Sequence, residues 1–360
     1  MKYKVGFVGG GINSVVGRVH KIAIEMDDRF EVVAGVFSRF KESNKKSAEI
    51  YNVRKFYPTI KDMIRNERLD VVCILTPTNR HVYDIEECLN LNEEIVIVSE
   101  KTIATSLSEI KTLKGYIKRN LFVTYNYTGY PMLRELREWV LNDKIGKVLN
   151  INLFMPQEGF LKKANNKKLA PQDWRRKDYE IPTIYLDLGI HLYSILSFIL
   201  NSDVKIKSVK SLNKSFSQWG VIDSVSSILL LKDDIVVNIW FSKVALGHTN
   251  GLEVEVYGEK GSLRWHQLEP EYLYYCDDSG NKLKLDRGSD FVIEARKERY
   301  NRFKVGHPDG YIEAFANYYY DIAEILKNRE SFSSVFVFDF ADCEKGMEFL
   351  TMIKEGEICC

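Results

Sequence analysis

This sequence of 360 residues lacks several features of polymer-binding and membrane proteins. Lysine plus arginine (51) nearly balance aspartate plus glutamate (50), so no global charge favours nucleic acid or an anionic membrane. No run approaches the ~18 apolar residues of a membrane span. The six cysteines show no C-x-x-C spacing that would organise zinc. We therefore expect no nucleic-acid partner, no membrane partner and no metal, and a reducing cytoplasm as the location.

The length is too great for one ordinary core and indicates two domains, which we place at residues 1–125 and 126–360. Neither a repeat nor a linker rich in Pro, Gly or Ser is present. The first third alternates short Val- and Ile-rich runs, such as "YKVGFV" and "DVVCILT", with helical patterns. Strands that alternate with helices predict a doubly wound parallel sheet.

The pattern changes after about residue 125, where longer alternating strands follow, among them "VLNINLFMPQ" and "LEVEVYGEKGSLRW". "LKDDIV" and "YGEKGSL" are typical of hairpin turns, because Asp and Gly tolerate positive φ. Helical patterns lie at 131–142, 186–200 and 310–327. This part predicts a mostly antiparallel, open sheet with helices on one face, so the fold class is α/β plus α+β.

A glycine-rich turn, "VGGGINSVVGRVH", follows the first strand. Gly9 and Gly11 occupy the first two positions of G-x-G-x-x-G, where one glycine allows a tight turn and the other lets a pyrophosphate approach a helix N-terminus. The third position holds Ser14, and Gly17 is a second candidate for its packing role. With the first helix expected to begin at Ile12, the turn predicts a dinucleotide site, and a plain tight turn is the alternative.

The end of the second strand reads "GVFSRFKESNKK". NAD enzymes usually place an acid here on the ribose 2′-hydroxyl. Ser38 and Arg39 occupy that place instead, which fits a 2′-phosphate and slightly favours NADP over NAD. A solvated basic turn is the alternative.

Further strand ends point to the same crevice, because ligands of open α/β sheets bind at the carboxyl ends of strands. "LTPTNRH" follows one apolar strand and "VSEKT" follows the next. For His81, helix capping is the alternative. The residues predicted to bind NAD or NADP are Gly9, Gly11, Ile12, Asn13, Ser38, Arg39, Thr76, Pro77, Asn79, His81, Glu100, Lys101 and Asn126.

These motifs together resemble the Gfo/Idh/MocA (glucose-fructose oxidoreductase and inositol dehydrogenase) family over nearly the whole chain. The motifs in its second part are "VTYNYTGYP", "DWRR", "YLDLGIHL", "YGEKGSLRW" and "GHPDGYIEAFANYY". The resemblance implies an N-terminal Rossmann domain and an NAD(P)-dependent dehydrogenase acting on a CH–OH group of a sugar, polyol or sugar nucleotide. It also implies a homodimer or homotetramer.

The same resemblance implies the catalytic residues. The family's lysine in a Glu-Lys-Pro turn matches Glu100-Lys101, and its Asp-x-x-x-His helix matches Asp187 and His191. Thr102 stands where the family has proline. A cis bond before a residue other than proline costs ~3 kcal/mol, so we expect a trans bond at Thr102.

The chemistry of these side chains agrees with that assignment. Asp187 and His191 are four residues apart at the start of an apolar helical run and share one face. A histidine with an ordinary pKa near 6.5 suits removal of a hydroxyl proton at neutral pH. We expect His191 to be the general base, Asp187 to bond a neighbouring hydroxyl or orient the histidine, and Lys101 to stabilise developing alkoxide charge. A helix-start acid and a buried core histidine are the alternatives.

Other side chains are candidates for holding the carbohydrate. Trp174 offers a flat apolar face for a sugar ring, and Arg175 offers forked donors for hydroxyls or a diphosphate. An ordinary core position is the alternative for Tyr127, and helix capping by Asp309 accounts equally well for part of the "GHPDGY" motif. The residues predicted to bind substrate are Lys101, Tyr127, Trp174, Arg175, Asp187, His191, His307 and Tyr311.

Two other functions stay open at this stage. One is a regulatory protein that senses the nucleotide with little catalysis, and the other is a sugar hydrolase or isomerase that recycles tightly held NAD. The open sheet of the second domain is expected to mediate self-association, because a sheet face without helices needs a partner.

Overall fold

The computed structural model describes residues 2–115, 121–164, 167–168, 170–328 and 334–359. The strands in chain order are β1 (Tyr3–Gly9), β2 (Phe30–Val36), β3 (Lys55–Phe56), β4 (Val71–Leu75), β5 (Val96–Glu100), β6 (Leu121–Thr124), β7 (Val148–Pro156), β8 (Lys163–Ala164), β9 (Lys167–Lys168), β10 (Ile206–Lys214), β11 (Ser224–Leu231), β12 (Val236–Ser242), β13 (Glu253–Gly258), β14 (Gly261–His266), β15 (Leu273–Asp277), β16 (Lys282–Leu285), β17 (Phe338–Asp339) and β18 (Glu357–Cys359). The α-helices are α1 (Gly17–Glu25), α2 (Lys41–Ile50), α3 (Ile60–Asn66), α4 (Thr78–Leu91), α5 (Leu107–Leu113), α6 (Pro131–Leu141), α7 (Ile190–Leu200), α8 (Tyr311–Lys327) and α9 (Phe340–Glu355).

The chain divides into two compact units. The first comprises Met1–Gly129 with Tyr311–Glu344, and the second comprises Tyr130–Gly310 with Lys345–Cys360. This differs from the expected boundary at residue 125, because α8 belongs to the first unit. The amide of Asn317 on α8 donates to the carbonyl of Gly129 at 2.9 Å. The position of α8 in the sequence suggests the second domain, because the helix follows β10 to β16, which belong to the second unit, along the chain.

The first unit is built on a seven-stranded sheet in the order β17-β6-β5-β4-β1-β2-β3. All its pairings are parallel except β17 with β6. Every residue of β4 and β5 is buried, which explains their nearly continuous apolar sequences. The strand order reverses between β1 and β4, the position at which doubly wound sheets bind ligands.

The second unit carries a nine-stranded sheet in the order β16-β15-β14-β13-β7-β12-β11-β10-β18. Its pairings are antiparallel apart from β7 with β12. Burial alternates along β7, where Ile151 and Leu153 are buried while Asn150 and Asn152 are half-buried. Helices α6 and α7 contact this sheet. The predicted fold class is therefore confirmed: one unit contains a Rossmann sheet, and the other contains an open, mostly antiparallel sheet.

Across the described ranges, no helix combines the length and apolar character that crossing a bilayer requires.

The glycine turn between β1 and α1 is longer than the motif predicted. Helix α1 begins at Gly17 rather than Ile12. An additional turn comes first, in which the Ser14 amide donates to the Gly11 carbonyl at 2.7 Å and the Gly17 amide donates to Ser14 Oγ at 3.2 Å. A Cβ at Gly17 would overlap the Gly10 carbonyl oxygen, so Gly17, not Ser14, fills the close-packing position.

Gly9 meets a second constraint in the same turn. Its φ is +79°, and a Cβ there would lie 2.7 Å from the Thr76 backbone nitrogen. Only glycine adopts this conformation without cost so close to another backbone. The turn thus brings β1 against the loop that follows β4.

Gly17→Ala should destabilise the first unit by about 1–3 kcal/mol, because the added methyl group overpacks a backbone contact. Dinucleotide binding should weaken with it, since the turn cannot close. Thermal unfolding and isothermal titration with the nucleotide measure the two effects. Gly115→Ala is the matched control, because among the described residues a Cβ at Gly115 meets no atom within 4 Å. Equal stability of the two variants would contradict this account of the turn.

Candidate active site

The end of β2 carries no acidic side chain. Ser38 Oγ accepts a hydrogen bond from the Phe40 amide at 3.2 Å, and Arg39 is exposed with its guanidinium 4.9 Å from the Phe40 ring centroid. A cation is therefore presented to solvent where NAD enzymes usually hold an acid.

Thr76 and Pro77 form the loop after β4, and Asn79 lies in the first turn of α4. Pro77 and Asn79 are exposed. The hydroxyl of Thr76 donates to Asp84 Oδ2 at 2.6 Å. This bond fixes the loop to the first turns of α4, so the exposed groups stand on a rigid base.

His81 is buried and does not cap α4. Its ring contacts the segments that follow β4 and β5. Its Nε2 lies 2.6 Å from the carbonyl oxygen of Thr76, and its Nδ1 lies 2.7 Å from that of Thr102. Burial lowers the pKa of His81, and the two carbonyl contacts oppose that shift only in part.

The peptide bond between Lys101 and Thr102 is cis. Our expectation of a trans bond was therefore wrong. Thr102 is 1% exposed, and its carbonyl oxygen is held by the His81 ring. These surroundings determine the local backbone, and the identity of residue 102 alone could not reveal them.

Glu100, the last residue of β5, is a buried carboxylate within a hydrogen-bonded network. Its Oε1 lies 2.9 Å from His20 Nε2 and accepts from the hydroxyl of Thr124. The other ring nitrogen of His20 lies 2.6 Å from the Tyr319 hydroxyl. Burial alone would raise the pKa of Glu100, but the bonds from His20 and Thr124 and the nearby charges of His20 and Lys101 hold it below its ordinary value. The carboxylate thus joins α1, β5 and β6 immediately before Lys101.

A 3-10 turn, Asn126–Gly129, follows β6 and contains two of the predicted site residues, Asn126 and Tyr127. Asn126 is 2% exposed, and within the described residues its Nδ2 has no hydrogen-bond partner. Tyr127 is buried with its ring 6.5 Å from that of Tyr311, which itself is partly exposed at the start of α8.

In the second unit, Asp187 lies in a π-helical turn, Tyr185–Gly189, and His191 lies in the first turn of α7. Both side chains are nearly buried, at 7% and 5% exposed. A π-helical turn inside a helical segment often marks a functional site, since it re-aims the side chains around it. The helical segment predicted from the sequence is thus present, with a π-helical distortion at Asp187.

Two cations converge on the Asp187 carboxylate. Its Oδ2 lies 2.7 Å from Lys243 Nζ and 3.0 Å from Arg175 Nε. Lys243 follows β12 and also donates to Gln157 Oε1 at 2.6 Å. Sequence reasoning missed Lys243. The sequence feature that could have indicated Lys243 is its position directly after the apolar strand "VVNIWFS".

Trp174 and Arg175 lie together in a short 3-10 turn, Asp173–Arg176. The Arg175 guanidinium lies 4.5 Å from the Trp174 ring centroid, and Gln172 Oε1 accepts from both side chains at 3.0 Å. The turn presents an apolar face beside a cation. His307, by contrast, is an exposed side chain of the second unit whose Nδ1 lies 3.0 Å from the Lys304 carbonyl oxygen.

Comparison with known proteins identifies both parts of the chain. The sequence pattern of an oxidoreductase family with an NAD-binding Rossmann fold matches residues 3–127, and that of the GFO/IDH/MocA C-terminal domain matches residues 133–264. The chain belongs to the Gfo/Idh/MocA family of oxidoreductases.

Individual Gfo/Idh/MocA relatives match most of the chain. The uncharacterized oxidoreductase YfiI of Bacillus subtilis is 27% identical over 366 residues, which are 96% of this chain and 92% of that protein. The glucose-6-phosphate 3-dehydrogenase of the same organism is 24% identical over 76% of this chain and 77% of its own. A crystal structure of an inositol dehydrogenase homolog from Azotobacter vinelandii, complexed with NADH and myo-inositol, is 22% identical. It shares the fold with a TM-score of 0.86 over 99% of this chain and 97% of that one.

The first unit's residues fit the dinucleotide that this oxidoreductase family binds. A Cβ at Gly11 would lie 2.7 Å from the Phe37 carbonyl oxygen, so a side chain would crowd the glycine turn ahead of the positive end of α1. The buried amide of Asn126 is a donor that a ligand oxygen would satisfy. These residues would hold the dinucleotide at the carboxyl ends of β1 and β6.

Proposed function

We propose that this oxidoreductase transfers a hydride between NAD or NADP and a hydroxyl or carbonyl of a sugar, a polyol or a sugar nucleotide. The observation that carries the proposal is the pair of nearly buried side chains, Asp187 and His191, presented from the π-helical turn and the first turn of α7. The names of the relatives, which include glucose-6-phosphate and inositol dehydrogenases, support the substrate class.

The proposed chemistry divides the work among three side chains. A bound nicotinamide would supply the acceptor for the hydride of the carbinol carbon. His191 takes the hydroxyl proton, and Lys101 stabilises the negative charge that develops on the oxygen. Asp187, which contacts Arg175 and Lys243, accepts a hydrogen bond from a substrate hydroxyl.

The sugar itself is proposed to rest against the second unit. The Trp174 ring offers an apolar face, and Arg175 adds donors for hydroxyl groups. Tyr127, His307 and Tyr311 keep their proposed role as substrate contacts. A panel of sugars, polyols and sugar nucleotides, assayed with both cofactors by nicotinamide absorbance, tests the substrate class.

His191→Ala should lower turnover by about 10²–10⁴-fold at neutral pH, the range for a lost general base. Lys101→Ala should also lower turnover, because the alkoxide loses its counter-charge. Steady-state kinetics on the substrate found in the panel measure both. His248→Ala, at an exposed histidine of the second unit, is the control. Wild-type turnover in both variants would show that the catalytic assignment is wrong.

Arg39→Asp should weaken NADP binding by about 10–100-fold while affecting NAD far less, because a charged hydrogen bond to the 2′-phosphate is lost. Isothermal titration with each nucleotide measures the difference. Lys61→Asp makes the same charge change at an exposed position of α3 and should leave the ratio unchanged. Equal losses for both nucleotides would remove the proposed NADP preference.

We also propose that the open face of the nine-stranded sheet binds a second copy of the chain. This face presents Ile228, 60% exposed, and Leu212, 58% exposed, with the half-buried rings of Phe154 and Trp240. The four residues line one shallow depression with Asn238. Contiguous apolar groups on an otherwise polar sheet are typical of an interface.

Sedimentation should therefore give a dimer or tetramer, and Ile228→Glu should shift the protein towards monomer, since the new charge would be buried without a partner. Thr112→Glu, on the exposed surface of α5, is a control outside this face. A wild-type monomer at all concentrations would contradict the proposal.

A further inference from the structure

Lys243 is a buried ammonium group with a fixed backbone. Its side chain is 8% exposed, although lysine side chains are rarely buried in proteins. The Lys243 amide donates to the Asp223 carbonyl at 2.8 Å, and its own carbonyl accepts from the Phe160 amide at 2.9 Å. The main chain therefore determines where this side chain starts, and its Nζ reaches Asp187 at 2.7 Å.

A chain of hydrogen-bonded amide side chains leads to the ammonium group of Lys243. Gln157 Oε1 accepts from Lys243 Nζ at 2.6 Å, and Gln157 Nε2 donates to Asn250 Oδ1 at 3.1 Å. Asn250 Nδ2 in turn donates to Gln267 Oε1 at 3.0 Å, and Gln267 Nε2 donates to the Tyr130 hydroxyl at 3.0 Å. Each link restricts the rotamer of the next, so Gln157 presents its oxygen to Lys243 in one orientation.

Such a buried pair is poorly explained by stability alone. Taking two charges out of water costs much of what their attraction returns, and apolar side chains of similar volume often serve a core equally well. Arg175 already supplies Asp187 with a cation at 3.0 Å, and that arginine is more exposed than Lys243. A second, buried cation on the same carboxylate oxygen restricts the orientation of that oxygen further, because two contacts must then be satisfied together.

We propose that Lys243 is a positioning residue for Asp187. It fixes the rotamer of the carboxylate on the π-helical turn, so that Asp187 accepts a hydrogen bond from a substrate hydroxyl in one geometry. This inference rests on the proposed function, in which Asp187 contacts the carbohydrate. Lys243 acts through Asp187 and takes no proton from the substrate.

The test is a double-mutant cycle on turnover with the substrate found in the panel. Lys243→Met should lower kcat by about 10²-fold, because misplacement of a positioned group costs about that much. The dissociation constant of the nucleotide should stay unchanged. Lys243→Arg, which keeps the charge, should recover most of the loss. The double variant Lys243→Met/Asp187→Asn should be no slower than Asp187→Asn alone, since coupled residues are not additive.

Folding is checked by thermal unfolding and nucleotide binding. The double variant removes both members of the buried Lys243–Asp187 pair, and Lys243→Gln, which keeps a donor, replaces Lys243→Met if that variant does not fold. Lys260→Met is the matched control, because it breaks the exposed pair of Lys260 with Asp143 and should leave kinetics unchanged.

His191→Ala, measured in the same assay, separates the inference from the proposed function. Slow turnover of His191→Ala with wild-type kcat and KM for Lys243→Met would overturn the role of Lys243 alone. Losses that multiply in the double variant would do the same, because the lysine would then act independently of Asp187. Wild-type turnover of His191→Ala would overturn the proposed function.

Discussion

A buried carboxylate needs hydrogen-bond donors, and each unit holds such a group beside a candidate catalytic residue. In the first unit Glu100 is held by His20 and Thr124, so the helix after the glycine turn and the strand before Lys101 are joined at one oxygen. In the second unit Asp187 is held by Lys243 and Arg175 beside the first turn of α7. In each unit the buried carboxylate adjoins a residue proposed for catalysis, so the same interactions that permit burial also fix the candidate functional side chains.

Local sequence was sufficient for much of this architecture. The apolar runs of β4 and β5 predicted buried parallel strands, because such strands have no solvent-facing side. Glycines between a first strand and a first helix predicted the turn that Gly9 and Gly17 now explain. The Asp-x-x-x-His spacing likewise placed Asp187 and His191 on neighbouring helical turns. In each case the signal lay within about one element of the chain.

The remaining features depend on residues far apart in sequence. The start of α1 moved from Ile12 to Gly17 because Ser14 closes an additional turn, and a motif with fixed spacing cannot show that insertion. The place of α8 in the first unit rests on partners nearly 200 residues away, as with Asn317 and Gly129. Lys243 likewise contacts Asp187 from a position 56 residues later in the chain, directly after β12. The periodicity of apolar residues does not predict these long-range contacts, because they depend on how distant segments pack together in the fold.

The central claim is net hydride transfer from a carbohydrate carbon to a nicotinamide that is then released. The most direct measurement uses the accepted sugar or polyol deuterated at its reacting carbon, with mass spectrometry of the nucleotide and product after turnover. The account predicts one deuterium in the released, reduced nicotinamide and none at the reacting carbon of the oxidised product. Product that forms while the nucleotide stays bound and the deuterium returns to the carbohydrate would contradict it, because the enzyme would then recycle its cofactor.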